Sequence, residues 1–435
     1  MTQTHIFQSS AFSRRGFLGV AGGAAALATL AACSSGGGGS SSGALKFWDM
    51  PWGPAEYSTA AQKLTEAYKP SSSLPAAEYQ VIQWSNFSQT FSSAIASKTG
   101  PAVSTGGGFQ AFQFAEQGAI AYADDLLEKF KADGTYDDFL PGTIESLKTP
   151  EGYAAIPSAL DMRVWWYNKR IFDENGLTVP TTWDEYFTVA RALKAKGLFA
   201  FGSGAGANNN IGLHSMLVMM INNGGGLYNP DGELDVVNER NIEAMEFVRQ
   251  LAQEGIIDPA SPSYSTDNLT AQWANGTIAM GINTPGLNAT LGDTNADVVV
   301  AEPMASPSGE QGTLQFVNNL MMYKNTPSQE GSEEFLTYWI KNMTPLFQQN
   351  LQSNLPILTS LTALPEFQAD TEKTKIINTW QPVAKTYAAR SSFVDARLAS
   401  IDGGQGLRAF AQTMLAGQTD PQVALEALGT SLGEL

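Results

Sequence analysis

The stretch LKFWDMPWGPAEYSTAAQKLTEAY, residues 45–68, joins a short apolar strand to a helix through a loop of proline and glycine residues. Within that helix, apolar side chains recur at three- and four-residue spacing from Tyr57 to Tyr68. A strand at 79–82, a helix with phenylalanines four residues apart and a strand at 102–105 then repeat the pattern. This β-α-β-α-β order predicts an α/β fold with a mostly parallel sheet and helices on both of its faces.

The middle of the chain predicts a second α/β unit. We expect strands at 164–167, 198–201, 278–282 and 298–300, and helices at 182–196, 241–253 and 332–342. Thr182 and Glu185 form a capping-box pattern at the start of the first of these helices. Trp165 and Trp166 point to opposite faces of one strand, and the sequence does not decide which of them is core. The chain is expected to fold as two lobes and to pass between them more than once.

Residues 1–32 are predicted to be a signal peptide and not part of the fold. Arg14 and Arg15 precede a Gly/Ala-rich apolar run, as in twin-arginine (Tat) export signals, and LAAC at 30–33 resembles a bacterial lipobox. We expect Cys33 to carry lipid, including palmitate, and residues 33–43 to form a Ser/Gly tether. Cys33 is the only cysteine, so no internal disulfide can form. The mature protein is therefore expected at the outer face of the cytoplasmic membrane.

The composition disfavours several classes of function. Loss of Arg14 and Arg15 with the signal changes the net charge from −17 to −19, which argues against nucleic acid or anionic lipid as a partner. His214 is the only histidine after residue 32, and the sequence has no GxSxG, SxxK or HExxH motif, which argues against histidine-dependent catalysis. A secreted carbohydrate-active enzyme that uses two carboxylates stays open as an alternative.

Several motifs occur in an order that is typical of one family. They are GYAAIP at 152–157, WYNK at 166–169, GLTVPTTWDE at 176–185, GIIDP at 255–259, NGTIAM at 275–280 and AEPMASP at 301–307. With these motifs the chain resembles, over residues 45–435, the family 1 bacterial extracellular solute-binding proteins, which include the maltodextrin-binding proteins.

The resemblance implies a type II periplasmic-binding-protein-like fold, in which crossing strands join two lobes around a central ligand cleft. We assign residues 44–158 and 318–365 to the first lobe, and residues 159–317 and 366–435 to the second. The implied function is to capture a solute, usually a sugar, by lobe closure and to deliver it to the permease of an ABC importer. We expect a monomer that is not an enzyme and has neither a cofactor nor a metal.

The chain also departs from the family pattern. Gly286 follows Asn283-Thr284-Pro285 at a position where many sugar binders have tryptophan, so one stacking platform is absent. The aromatic loops still favour a sugar, in particular an oligosaccharide. A polyamine, a phosphate ester or a metal bound by the same fold, and a purely structural surface lipoprotein, remain alternatives.

A sugar site needs aromatic plates for the C–H faces of the ring and fixed polar groups for its hydroxyl rim. In open α/β sheets such groups lie at the carboxyl ends of strands. The candidates that follow the first three predicted strands are Asp49, Trp52, Trp84, Phe109 and Gln110. The alternative role for Trp52 is a loop anchor packed on its own lobe, and the alternative for Trp84 is core packing.

Further candidates lie in the middle of the chain. By resemblance, Asp161 occupies the position at which sugar-binding relatives carry an acidic ligand contact. Its alternative role is an ion pair with Arg163, which lies on the same strand face. The two roles are compatible, with Arg163 orienting Asp161. Asn208 and Asn210 follow the strand at 198–201, and His214 occupies a position at which relatives often place an aromatic contact.

The remaining candidates lie nearer the C-terminus. A hinge role and a ligand contact are equally compatible with an asparagine inside an apolar crossing strand, because a buried amide must be hydrogen-bonded in either case. This applies to the adjacent Asn318 and Asn319. The other candidates nearer the C-terminus are Asn283, Gly286, Asn288, Trp380 and Arg390.

Overall fold

The computed structural model describes residues 43–71, 73–394, 397–402 and 404–433. The predicted signal peptide, Cys33 and nearly all of the predicted tether lie outside these residues. In the described part of the chain, no helix is both long enough and apolar enough to cross a membrane.

The strands are β1 (Leu45–Asp49), β2 (Ala77–Val81), β3 (Val103–Gly106), β4 (Ile120–Ala121), β5 (Ile156–Met162), β6 (Val164–Asn168), β7 (Met280–Asn283), β8 (Val298–Val300), β9 (Thr313–Tyr323) and β10 (Ala384–Lys385).

The α-helices are α1 (Ala55–Glu66), α2 (Phe87–Ala96), α3 (Gln110–Glu116), α4 (Asp124–Asp133), α5 (Lys169–Glu174), α6 (Trp183–Lys194), α7 (Ile211–Asn222), α8 (Glu239–Gln253), α9 (Thr266–Ala274), α10 (Leu287–Leu291), α11 (Gln329–Asn342), α12 (Thr344–Gln348), α13 (Thr359–Thr362), α14 (Pro365–Gln368), α15 (Thr371–Lys375), α16 (Leu398–Ile401), α17 (Gln405–Ala416) and α18 (Pro421–Gly433). Short 3-10 turns lie at Tyr136–Asp138, Glu145–Leu147, Ser261–Ser263, Asp293–Asn295 and Gln381–Val383, and a π turn at Ile376–Trp380.

The first sheet has the strand order β10-β9-β3-β1-β2, and β4 and β5 also pair with β9. β1 is parallel to β2 and to β3, as the β-α-β-α-β pattern predicts. β9 runs antiparallel to β3, β4 and β5. The prediction of a mostly parallel sheet therefore holds for β1, β2 and β3 but is wrong for the sheet as a whole.

The second sheet has the order β7-β6-β8, and both of its pairings are antiparallel. The prediction of a strand at 198–201 is wrong, because this segment forms only an isolated bridge from Phe199 to Ile278. Gly202, the next residue, forms a further isolated bridge to Gly281. The backbones of Gly202 and Gly281 lie very close together, because a Cβ atom at Gly281 would lie 2.5 Å from the Cα of Gly202. Glycine is needed here for space.

Both adjacent tryptophans of β6 are core residues. Trp165 packs against Tyr186 and Phe201, with ring centroids 5.1 and 5.6 Å away. Trp166 is fully buried, and its indole N–H donates to the carbonyl of Thr284 at 3.0 Å. The second sheet is thus buried on both faces.

The start of α6 differs slightly from the predicted capping box. Thr182 accepts a hydrogen bond from the backbone N–H of Glu185 at 3.3 Å. The Glu185 carboxylate, in turn, accepts from the backbone N–H and the hydroxyl of Thr181, one residue before the N-cap. Both predicted residues therefore cap the helix, but Glu185 bonds to Thr181 and not to the N-cap residue Thr182.

β5 and β9 carry the chain between the two sheets. β5 pairs antiparallel with residues 315–320 of β9, with a register shift between Pro157 and Ala159. One residue, Arg163, separates the end of β5 from β6 in the second sheet. Side chains at this junction can therefore meet groups from both halves of the chain.

We predict that Gly281→Ala lowers the free energy of unfolding by about 1–3 kcal/mol, because the added methyl group overlaps the backbone of Gly202. Gly286→Ala is the matched control, since a Cβ there would meet no atom within 4 Å. Urea unfolding of both variants without ligand measures the difference. Equal stabilities would contradict the close approach of the two segments.

Candidate functional site

A cavity of about 560 Å³ opens beside the junction of β5 and β6. Its walls come from the turn between β2 and α2, the loop after β3, the crossing strands, the start of α7 and the segment that ends α16. The lining residues are Trp84, Phe87, Gly107, Gly108, Phe109, Gln110, Gln113, Asp161, Arg163, Asn210, His214, Phe316, Asn318, Ser400 and Asp402.

Eight of the predicted residues therefore line one cavity, namely Trp84, Phe109, Gln110, Asp161, Arg163, Asn210, His214 and Asn318. The cavity lies beyond the carboxyl ends of β2 and β3, where ligand groups are expected in an open α/β sheet.

The glycine loop after β3 lets the backbone lie directly against β9. A Cβ at Gly106 would lie 2.3 Å from the terminal methyl group of Met321, and one at Gly108 would lie 3.3 Å from the Cβ of Phe316. The side chain of Gln110 closes the loop by accepting from the backbone N–H of Gly107 at 2.7 Å. The loop therefore presents backbone and amide groups to the cavity in a fixed position.

Trp84 is the exposed aromatic plate of the cavity, with 41% of the residue accessible. Its indole N–H donates to the carbonyl of Pro51 at 2.9 Å, and its ring meets the rings of Trp52 and Phe87 edge-on. These contacts hold the ring, and a large part of it stays exposed. A large apolar ring kept exposed at a cavity mouth is typical of a ligand contact.

Asp49 and Trp52 lie behind Trp84 and outside the cavity lining. The indole N–H of Trp52 donates to Asp49 at 3.2 Å and to Thr105 at 3.1 Å. The Asp49 carboxylate also accepts from the hydroxyls of Thr105 at 2.7 Å and Tyr79 at 3.0 Å. Burial raises the pKa of Asp49 to about 6 in spite of these bonds. The two residues therefore support the aromatic wall from beneath.

Arg163 is the centre of the polar wall. Its Nη1–H donates to Asp161 at 2.8 Å and to the carbonyl of Met162 at 2.9 Å, and its Nε–H donates to Nδ1 of His214 at 2.9 Å. The guanidinium carbon lies 4.8 Å from the ring centroid of Phe316. The charge is therefore buried, paired and stacked in one arrangement.

His214 joins Arg163 to Asp402. Nε2 of His214 lies 3.1 Å from a carboxylate oxygen of Asp402, which also accepts from the hydroxyl of Tyr387. Burial lowers the pKa of His214, and the charge of Arg163 lowers it further. Burial alone would raise the pKa of Asp402, but the hydrogen bonds from His214 and Tyr387 leave it below its ordinary value. At neutral pH the pair is a neutral imidazole beside a carboxylate.

The other predicted site residues lie outside the cavity lining. Asn208 has a φ of 58° and accepts from Thr266 through its carbonyl. The Asn283 side chain accepts from the backbone N–H of Thr284, and Gly286 has open space around it. Asn288 accepts with its side-chain oxygen from the backbone N–H of Ala289. A ligand contact for any of these four residues stays a prediction.

Three more candidates have structural partners. Asn319 donates to the carbonyl of Gly107 at 3.2 Å and thereby fixes the glycine loop from behind. Trp380 is buried and donates to the carbonyl of Ala301, and Arg390 forms an ion pair with Asp235 at 2.7 Å. Each of the three residues thus has a structural role, and a ligand contact for any of them stays a prediction.

Sequence reasoning missed several lining side chains, among them Phe316, which packs on Arg163 and His214, and Asp402, which contacts His214. Phe316 lies in β9, whose residues are all buried, so no polar/apolar alternation marks the side that faces the cavity. Asp402 follows a short helix and is 239 residues away from Arg163 along the chain, without any local motif. Only the three-dimensional fold brings it to His214.

An open cavity at strand ends, with one aromatic and one polar wall, is typical of a protein that binds a small solute. The family model of bacterial extracellular solute-binding proteins matches residues 55–343. The chain therefore belongs to this family, and the family assignment made from the sequence is confirmed.

Similar proteins support this assignment. A putative binding protein of Brucella abortus is 24% identical over 310 residues, which are 69% of this chain and 72% of that protein. The crystal structure of a sugar transporter from Arthrobacter chlorophenolicus A6 with bound laminaribiose has 52% sequence identity and a TM-score of 0.78, and covers 90% of this chain and 99% of that one. Maltose-bound MalE3 of T. maritima, at 16% identity and a TM-score of 0.69, covers the same shares. The predicted two-lobed periplasmic-binding-protein-like α/β fold is thus confirmed.

We predict that Asp49→Asn changes the pH dependence of stability. A carboxyl group with a pKa of about 6 in the folded protein and 3.8 ordinarily binds its proton more tightly when folded. Lowering the pH from 7 to 5 should therefore stabilise the wild type relative to Asp49→Asn by about 1 kcal/mol. Urea unfolding of both proteins at each pH measures this difference. A wild type that loses stability relative to the variant at pH 5 would contradict the burial of this carboxylate.

Proposed function

We propose that the protein is the substrate-binding subunit of an ABC importer and that its cavity captures a sugar, with a laminaribiose-like disaccharide as the first candidate. The observation that carries the proposal is the cavity itself, which is lined both by the exposed ring of Trp84 and by the paired Asp161 and Arg163. Its volume lies within the range of small-ligand pockets, about 300–1,000 Å³. The 52% identity to a transporter with bound laminaribiose supports this choice of sugar.

The two walls match the two kinds of sugar surface. The face of Trp84 suits the C–H face of a pyranose ring. The Asp161 side chain is 25% exposed and uses one carboxylate oxygen for Arg163, which leaves the other available to accept from ligand hydroxyls. The amides of Gln113 and Asn318 also line the cavity and can both donate and accept.

The charges of the cavity favour a neutral solute over a phosphate ester. Arg163 is its only cation among the described lining residues, and this guanidinium is already bonded to Asp161 and His214. With Asp402 included, the lining carries a net charge of −1 at neutral pH. A phosphate beside Arg163 would also lie close to the carboxylates of Asp161 and Asp402, which repel it.

The same pair of carboxylates bears on the enzyme alternative. A two-carboxylate glycosidase needs one acid that stays protonated near neutral pH, usually because its pKa is raised. The hydrogen-bonded environment of Asp402 lowers its pKa instead, and Asp161 is held by Arg163. This arrangement favours binding without turnover.

The sequence supplies the rest of the proposal. The twin-arginine signal at 1–32 would export the folded chain, and lipid on Cys33 would hold it to the outer face of the cytoplasmic membrane through the tether. The protein would act there as a monomer that presents the closed, loaded form to the permease. Membership in a family of extracellular binding proteins supports this location.

We predict that laminaribiose raises the melting temperature of the wild type, because it binds only the folded protein. Trp84→Ala and Asp161→Asn should each weaken the affinity about tenfold or more, through loss of stacking and of a charged hydrogen-bond acceptor respectively. Titration calorimetry measures both affinities.

Asp231→Asn is the control, because it removes the same charge as Asp161→Asn from an exposed turn outside the cavity lining. Wild-type affinity in both cavity variants would contradict the proposed site. Release of glucose from laminaribiose by the purified protein would instead support the enzyme alternative.

We also predict that Cys33→Ser abolishes incorporation of radiolabelled palmitate and moves the protein from the membrane fraction to the soluble fraction, because the thiol is the proposed acylation site. Ser34→Ala, next to it, is the control and should stay in the membrane fraction. A labelled Cys33→Ser protein would contradict the lipid anchor.

A further inference from the structure

One chain of hydrogen bonds crosses the polar wall of the cavity from the C-terminal segment to β5. It runs from Tyr387 to Asp402, from there to His214, then to Arg163 and finally to Asp161. Every member except Tyr387 lines the cavity. Among the cavity-lining residues of this chain of hydrogen bonds, His214 is the only uncharged one, and only 3% of it is exposed.

The partners of His214 define its tautomer. The Nε–H of Arg163 is always a donor, so Nδ1 of His214 must accept and cannot carry a proton. Nε2 faces a carboxylate oxygen, so it must carry the proton and donate. This arrangement exists only for the neutral imidazole. A second proton on Nδ1 would set two donors against each other across 2.9 Å.

We propose that His214 is the positioning residue of the cavity: as a neutral imidazole it holds the Arg163 guanidinium, and therefore Asp161, in the geometry that grips the solute, and protonation releases them. The ligand in this inference rests on the proposed function, but the hold of His214 on Arg163 does not depend on it. It makes solute capture strongest above the pH at which His214 gains its proton.

The surroundings of His214 determine how protonation acts. Arg163 faces it from the junction of β5 and β6, Asp161 from β5 and Asp402 from the segment after α16, while Tyr387 contacts Asp402 from the segment after β10. Arg408 of α17 contacts the same end of α7, where it donates to the carbonyls of Gly206 and Asn209 and to the Asn210 side chain.

Burial and the charge of Arg163 oppose the proton on His214, while Asp402 and Asp161 favour it, and the net effect is a lowered pKa. The imidazole therefore stays neutral at neutral pH and is protonated only below its ordinary range of about 6.5. Protonation leaves the contact with Asp402 intact and breaks only the contact with Arg163.

The test uses three versions of the full chain, namely the wild type, His214→Gln and His214→Ala. A glutamine amide can accept from Arg163 with its oxygen and donate to Asp402 with its nitrogen, but it cannot be protonated. Alanine removes both bonds. The Nε–H signal of Arg163 in nitrogen-15 NMR spectra, assigned by its loss in Arg163→Lys, reports the held guanidinium without any ligand.

We expect a protected Arg163 Nε–H signal at pH 7.5 in the wild type and in His214→Gln, but not in His214→Ala. As the pH falls to 4.5, the wild-type signal should be lost together with the titration of the His214 imidazole, while the glutamine variant keeps it. A signal that persists in His214→Ala, or that ignores the imidazole titration, would overturn the proposal.

The second arm measures laminaribiose affinity over the same pH range. The wild-type Kd should rise about tenfold relative to that of His214→Gln as His214 is protonated, since a charged hydrogen bond is lost. Parallel pH profiles of the two proteins would overturn the proposal. If laminaribiose binds to none of the proteins, the choice of sugar fails, and the NMR result alone decides the role of His214.

Discussion

Arg163 places a positive charge at the junction of the two sheets, and only 6% of the residue is exposed. A buried guanidinium is tolerated only if its charge is paired and its N–H groups are bonded. Asp161 supplies the opposite charge, three of the five N–H groups donate to Asp161, His214 and the carbonyl of Met162, and Phe316 covers the face of the group. The position of one charge thereby fixes β5, β9 and α7 relative to one another.

The aromatic wall of the cavity, formed by Trp84, is also held in place by buried polar groups. The carboxylate of Asp49 is buried among hydroxyl and indole donors, and these bonds fix Trp52, which in turn supports Trp84. Each wall thus consists of an accessible layer that can meet a solute and a buried polar layer that holds it. A preorganised site of this kind loses little conformational freedom when the solute binds.

The sequence predicts much of this arrangement, because its strongest signals are local. Strand-helix alternation gave the parallel strands β1, β2 and β3, and the rule that ligands lie at strand ends selected Trp84, Phe109 and Gln110. The same reasoning could not identify Phe316 or Asp402. Phe316 lies in a strand that is buried along its whole length and shows no polar/apolar alternation. Asp402 lies 239 residues from Arg163 and belongs to no local motif. Trp380 was selected as a candidate for its residue type, and its buried position could not be predicted from the neighbouring residues. The lobe boundaries and the processing at Cys33 stay predictions.

The most direct test of this account is a crystal structure of the protein grown with laminaribiose. We expect electron density for the sugar between the ring of Trp84 and the Asp161–Arg163 pair, with a hydroxyl group within hydrogen-bond distance of Asp161. A sugar bound elsewhere, for example in the separate cavity of about 600 Å³ that Gln315, Gln381 and Lys385 help to line, would contradict it.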